Sequence, residues 1–418
     1  MIKHITACGL AAVLALSLAA CGAQPAASAS APGTSASQPA GAAPARQKAE
    51  AAPDAVLRIL QEGHPGPFTK ISQEAFAAKV EELDGRWGKL QLSEGNAWCA
   101  LRELAAAIGD AHTSVQPPET LTQRTLPVLF GNYEGRWIIL QAQAPYGELA
   151  GKELTAINGV ALAEIVEKVK PLISYETEGW ANVMLQSDLR NMRVLQYVGL
   201  ADDMRTAQLT VCDAQTGAEE TVEVATASGF NYGDAAALSF APTIAQSGLY
   251  RATSLEDGTV FIQYNSCQEV PDLSMADFAA ELGAQLDGFE GKIIVDLRNN
   301  SGGDSRVIAP LVELLKKQKA AGARLYCLIG ANTFSSAVMN AQDLRQAGAT
   351  LVGEATGGRL GGFGELGMET LSNGCTLYYS TKDFGPEGPV EPDETVPQTV
   401  EDLLAGRDTA VEYILGLE

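Results

Sequence analysis

The chain has 418 residues, enough for two or three compact units, and its 46% hydrophobic and 19% charged content is that of a globular protein with a real core. A net charge of −22 argues against a nucleic-acid binder, because phosphates would be repelled. The charge identifies no partner and reads as solubility on an exposed cell surface.

Lys3 and the apolar, small-residue run from Leu10 to Ala20 form a targeting segment too short to span a bilayer. Leu18-Ala19-Ala20-Cys21 resembles a bacterial lipobox, which implies cleavage before Cys21 and lipid on that residue. The alternative is an ordinary signal peptide with an incidental cysteine. The expected location is extracytoplasmic, anchored to the cell membrane through Cys21. Residues 22–52 are mostly Ala, Ser, Pro, Gly and Gln, a composition that cannot build a core and reads as a disordered tether. Of seven cysteines, five remain once Cys8 leaves with the signal and Cys21 is lipidated. They are scattered, odd in number and without C-x-x-C spacing, which argues against a disulfide framework and a zinc site.

From Asp54 to Gly109 the apolar spacing predicts helices. Ala55, Leu57, Ile59 and Leu60 precede a break at His64-Pro65-Gly66-Pro67. Ser72 is a plausible N-cap for a second helix carrying Phe76, Val80 and Leu83. A third, Ala97 to Ile108, ends at Gly109-Asp110-Ala111-His112-Thr113, a glycine stop followed by a polar turn. Residues 126–249 are mixed: Trp137 to Gln143 reads as a strand and Leu162 to Leu172 as a helix. The stretch from Gly151 to Leu172 resembles the second half of a PDZ module, without an obvious carboxylate-binding loop; the alternative is a structural β/α insert.

Residues 250–418 alternate strand and helix. Strands are expected at Val260–Tyr264, Ile293–Leu297, Thr350–Val352 and Cys375–Tyr379, and helices at Val307–Lys317 and Ser336–Ala347. Two apolar runs break into polar turns. Ile293–Arg298 leads into Asn299-Asn300-Ser301-Gly302-Gly303-Asp304, where the glycines leave backbone N–H groups accessible. Leu325–Gly330 leads into Ala331-Asn332-Thr333-Phe334-Ser335-Ser336-Ala337, which places serine at a helix start, where N–H groups have no partner within the helix. A nucleophile at one turn and a donor-rich glycine pair at the other are the parts of an acyl-transfer site.

Asp296, Arg298, Asn300, Gly302 and Gly303, read as D-x-R-x-N-x-G-G, are followed by Thr333-Phe334-Ser335-Ser336-Ala337 and by Val352-Gly353-Glu354-Ala355-Thr356-Gly357-Gly358. This ordered set resembles the tail-specific (carboxy-terminal processing) serine peptidases and their relatives, the tricorn core and the interphotoreceptor retinoid-binding repeats. A looser likeness runs from about Pro53 to the C-terminus. The resemblance implies a crotonase-like β/α spiral, with Ser335 as nucleophile. Ser336 is the rival by adjacency, or its N–H forms half of an oxyanion hole. Gly302 or Gly303 would supply the other donor. Asp296 and Arg298 would form a supporting ion pair, and Asn300 would fix the glycine turn. Without the flanking motifs, both serines would read as helix caps.

The base departs from the lysine pattern of the family. The register after Gly353-Glu354 gives Arg359, and arginine cannot accept a proton. No lysine lies between Lys317 and Lys382. Of the three histidines, His4 leaves with the signal and His64 sits in a Pro-Gly turn. His112 lies in a segment resembling the base motif of the tricorn-like branch and is the expected base, although Ala111 stands where that branch has serine. His64 is the fallback. For the acid orienting the imidazole, the resemblance points to Glu391, with Glu365 and Asp110 as competitors. The glycine-rich stretch Gly357 to Gly364 reads as a mobile flap or as a loop needing unusual backbone angles.

The expected organisation is a signal peptide (1–20), a tether (21–52), a helical region (53–125), a PDZ-like β/α region (126–249) and an α/β catalytic domain (250–418). No metal motif, phosphate loop, dinucleotide fingerprint or G-x-S-x-G elbow is present, so neither a cofactor nor a metal is expected. The expected activity is serine-type cleavage of a peptide or protein substrate. A catalytically inactive binding protein on the same fold is the second reading, and a hydrolase of small esters or amides the third.

Overall fold

The structure is a computed structural model and describes residues 5–7, 50–90, 93–238 and 248–418. Cys21 and the tether lie outside the described residues. No described helix is long and apolar enough to cross a membrane.

The half of the chain after residue 250 is built on one sheet. Tyr250–Ser254 pairs antiparallel with Val260–Tyr264, and parallel pairing then continues through Lys292–Asp296, Arg324–Ile329, Thr350–Gly353 and the short Glu394–Thr395. Val260–Tyr264 and Lys292–Asp296 are buried along their whole length, which is why they read as continuous apolar runs instead of alternating ones. Helices Met275–Gln285, Ala309–Ala320 and Ser336–Gln346 supply the crossovers. Parallel strands deliver their C-terminal ends to one edge of the sheet, so the turns after Asp296 and Ile329 meet there. Ile5–Ala7, inside the expected signal segment, lies antiparallel beside Tyr250–Ala252.

The first half holds helices Ala52–Gly63, Gln73–Leu90 and Glu94–Ala106. Ser72 and Ser93 accept hydrogen bonds from Ala75 N–H and Asn96 N–H, capping the second and third. A second sheet is antiparallel, with Val128–Tyr133, Arg136–Gln143, Glu153–Ile157, Thr206–Cys212 and Glu219–Ala225 in spatial order. The predicted helix from Leu162 stops at Val169 and tightens into a 3₁₀ turn at Lys170–Leu172, where Pro171 cannot donate to the ladder.

The hairpin Phe363–Thr370/Thr376–Asp383 does not join the sheet of its own half. It pairs through Thr376–Tyr378 with Ser114–Gln116, the strand that follows His112. Leu371, Cys375 and Leu377 share a core with the N-terminal helices. This crossover brings the His112 turn, from the first half, against the serine turn of the second.

Candidate active site

Ser335 sits where the strand Arg324–Ile329 has ended and the helix Ser336–Gln346 begins. Its backbone is at φ 52°, ψ −127°, in the left-handed half of conformational space that a side chain rarely adopts. Its hydroxyl does not cap the helix. It points instead to His112, whose Nε2 lies 3.2 Å from Ser335 Oγ across 223 positions of sequence. The turn is held from beneath by Thr333, whose hydroxyl donates to Leu297 O at 2.9 Å and accepts from Gly330 N–H.

The imidazole is held by packing. The Phe334 ring lies between His112, at 4.8 Å between centroids, and Trp180, on which it stacks at 3.8 Å and 13°. His112 N–H donates to Asp110 Oδ1 at 3.0 Å, which fixes the backbone of the turn. His112 Nδ1 stands 3.8 Å from the same oxygen and has no hydrogen-bond partner among the described residues. Burial pushes the imidazole below its ordinary value, and the charge of Asp110 partly restores it.

Asp110 is itself enclosed, at 1% exposure. Its Oδ2 accepts from the Thr113 hydroxyl at 2.6 Å, the Ser380 hydroxyl at 2.7 Å and His64 Nε2 at 3.1 Å. Burial pushes the carboxyl up, but His64, the charge of His112 and the two hydroxyls outweigh it and hold it at about 2. His64 Nδ1 accepts from Gly66 N–H, so the proton of a neutral ring is on Nε2 and faces Asp110. His64 is therefore a fixed donor to Asp110, not a second base for Ser335.

The carboxylates gathered around His112 are Asp110 and Glu176; one ligand atom from each and one from the ring fall within 4.8 Å of one another. These three form the group among the described residues able to hold a metal ion. Glu176 is raised to about 7 by burial and by the charge of Asp110, against Arg359 and Lys70. Glu391 does not join them. Its side chain is exposed, its carbonyl accepts from Arg345, and the neighbouring Asp393 pairs with the same arginine. Glu365 is exposed as well and pairs with Lys382. Arg359 donates to Glu387 O and lies 3.7 Å from Glu176.

The D-x-R-x-N-x-G-G segment frames the other side. Asn300 is fully buried; its Nδ2 donates to Tyr264 O at 2.9 Å and its Oδ1 accepts from Gly302 N–H at 3.0 Å. That bond takes Gly302 N–H out of the set of free donors. Gly303 N–H and Ser336 N–H have no acceptor among the described residues and remain as the donor pair. The Ser336 hydroxyl donates to Gly303 O at 2.6 Å and ties the two turns together. Gly302, at φ 113°, is packed so closely that a Cβ would sit 2.9 Å from Ser335 Cβ and 3.2 Å from Ser336 N. Arg298 bridges Asp296 and Asp408, each 1% exposed, through four bonds of 2.8–3.0 Å. Sequence gave no sign of Asp408, since that contact spans 110 positions.

Gly358 lies against Ser335: a Cβ there would meet Ser335 N at 2.8 Å. Phe363, within the expected flap, opens the strand of the hairpin and packs edge-on to His64 at 4.6 Å. Part of the glycine content thus answers to close packing behind Ser335.

No protein-family model matches the chain, and no curated protein does. Among solved structures, the chain is similar to mature CPAF complexed with lactacystin, with a TM-score of 0.61 at 14% identity over 87% of this chain and 95% of that one. A CPAF mutant gives 0.59 at 15% identity over 87% and 94%. The photosystem II D1 C-terminal processing protease, at 14% identity over 86% of this chain and 97% of that one, overlaps more loosely, with a TM-score of 0.39. At this identity the likeness to CPAF establishes a shared mixed α/β architecture with several sheets.

Proposed function

We propose that the chain is a serine peptidase of the tail-specific family, in its tricorn-like branch, acting through an acyl-enzyme on Ser335. The observation that carries the reading is the 3.2 Å approach of His112 Nε2 to a serine hydroxyl that caps nothing. The fold shared with mature CPAF, a structure solved with lactacystin bound, supports it.

Ser335 Oγ attacks the peptide carbonyl carbon while His112 Nε2 takes its proton. The carbonyl oxygen becomes an oxyanion facing Ser336 N–H and Gly303 N–H. Collapse breaks the C–N bond, and the imidazolium returns the proton to the leaving amine. Water then attacks the ester, giving its proton to His112, and the second collapse releases the carboxylic acid and restores the Ser335 hydroxyl. Asp110, negative and 3.8 Å from Nδ1, stabilises the imidazolium by charge.

In this reading residues 250–418 are the crotonase-like spiral, residues 126–249 the PDZ-like region, and lipid on Cys21 holds the enzyme outside the cell. Substrates are peptides or proteins. The test is cleavage of a peptide library followed by mass spectrometry. The wild type should produce fragments that Ser335→Ala and His112→Ala do not, and equal cleavage by all three would remove the assigned residues. A second reading, a binding protein on the same fold, draws on His112 Nδ1 having no hydrogen-bond partner among the described residues; its signature is peptide binding without fragments.

A further inference from the structure

Beside the relay is a cavity of about 370 Å³ whose wall includes Ala111 and Ser114, the residues flanking the His112-Thr113 pair. Its volume is that of a site for one or two amino-acid side chains. Its charged groups are Arg102, Asp188 and Arg190. Arg102 and Asp188 close on each other through two bonds of 2.9 and 2.6 Å, so this pair is neutral and complete. Arg190 is different. Its Nε is buried with no hydrogen-bond partner among the described residues, and no carboxylate among them pairs with it; its guanidinium lies over the face of Phe230, 5.5 Å away, and near Tyr232. Burial pushes the guanidinium down to about 10, which leaves it charged at neutral pH.

Arg190 is only partly buried, but its enclosed Nε is a donor left unused, which is costly unless an anion completes it. We propose that this cavity is a substrate subsite in which Arg190 receives one carboxylate of the peptide being cleaved. The proposal rests on the peptidase reading. One net positive charge, beside a carboxylate already committed to Arg102, suits a monoanion better than a phosphate dianion. The planar fork of arginine matches a carboxylate, whether that is the free end of a peptide or an Asp or Glu side chain. The position of the cavity against Ala111 sets the recognised group close to the base, so recognition and the bond to be cut would lie a short stretch of peptide apart.

The experiment measures binding in the Ser335→Ala protein, so that turnover plays no part. Four matched fluorescent peptides are compared: neutral with an amidated end, neutral with a free C-terminus, and amidated with a single Glu at either of two positions. The proposal predicts that one carboxylate-bearing class binds about tenfold or more tightly than the neutral amide. A preference for the free end identifies a terminal carboxylate, and a preference for Glu identifies a side chain. Arg190→Gln in the same background should erase the preference. Arg190→Lys, which keeps the charge and the volume but loses the fork, should retain part of it and covers the case in which the glutamine variant does not fold. Equal binding of all four peptides, or a preference that survives Arg190→Gln, overturns the proposal. The two readings separate cleanly: cleavage by the wild type with no carboxylate preference overturns the subsite alone, and preference without cleavage overturns the peptidase and leaves Arg190 in a carboxylate-binding site that serves no cleavage.

Discussion

Phe334 and Trp180 stack face to face, 3.8 Å between centroids and 13° from parallel, although 154 positions separate them in the chain. The stack joins the segment before the nucleophile to the helix Glu178–Asp188, and its other face meets the His112 ring. Among the described residues no well-aligned hydrogen bond fixes Nδ1, so aromatic packing contributes to holding the imidazole toward Ser335. Phe334→Ala should therefore lower kcat by about 10²-fold through misplacement of the base, and the cavity should cost about 3–5 kcal/mol of stability. Steady-state kinetics with a urea melt checks both; unchanged kcat would show that the ring is not needed for alignment.

The two glycines of the oxyanion turn should respond differently. In the proposed mechanism Gly303 offers the unpaired N–H, and losing one such donor typically costs about 10²–10³ in rate. A Cβ at Gly303 would lie 2.3 Å from Cys267 O, which forces the loop away. Gly302 N–H donates to Asn300 Oδ1 and is not free, but a Cβ there would press on Ser335. Asn300→Ala should free Gly302 N–H and loosen the turn, reducing kcat with KM little changed. An Asn300→Ala enzyme with full kcat would show that the turn holds its shape unaided.

Arg298 neutralises two buried carboxylates. Arg298→Ala leaves Asp296 and Asp408 charged and enclosed, a loss of about 3–5 kcal/mol. The double variant with Asp408→Asn should recover part of that loss. Chemical denaturation of the single and double variants measures it, and simple additivity would mean the three groups are not coupled.

Acid should act on this site in two ways. The His112 value lies below the usual 6.5, so the imidazole stays neutral, and activity should persist, at pH values where an exposed histidine is already protonated. Asp110 is lowered from 3.8 to about 2; its contribution to stability, about 2 kcal/mol, is present above pH 4 and lost as the pH falls from about 4 to about 2. Glu176 runs the other way. Its carboxyl is raised to about 7, so ionisation at higher pH adds negative charge beside His112. A rate profile should show an inflection near 7 that Glu176→Gln removes. A profile identical in the two proteins would detach Glu176 from the relay.

The local features of the site were legible in the sequence. Gly302-Gly303 and Thr333–Ser336 carry their turn chemistry within a few residues, and three histidines left little choice of base. The partners of His112 were harder. Ser380 reaches Asp110 across 270 positions, through a hairpin that its glycine-rich start disguised as a flap. The register of the resemblance points to Glu391, but its chain segment turns outward to Arg345, while Asp110, only two residues from His112, takes the interior position. Glu176 carries no motif; its meaning comes from burial against Asp110, which spacing cannot report.

The central claim is most directly tested by treating the protein with a serine-reactive fluorophosphonate and mapping the adduct by peptide mass spectrometry. The account predicts a single phosphonylated residue, Ser335, formed at a rate that falls sharply in His112→Ala. An intact Ser335 after prolonged exposure of the folded wild type, or an adduct on another residue, would contradict it.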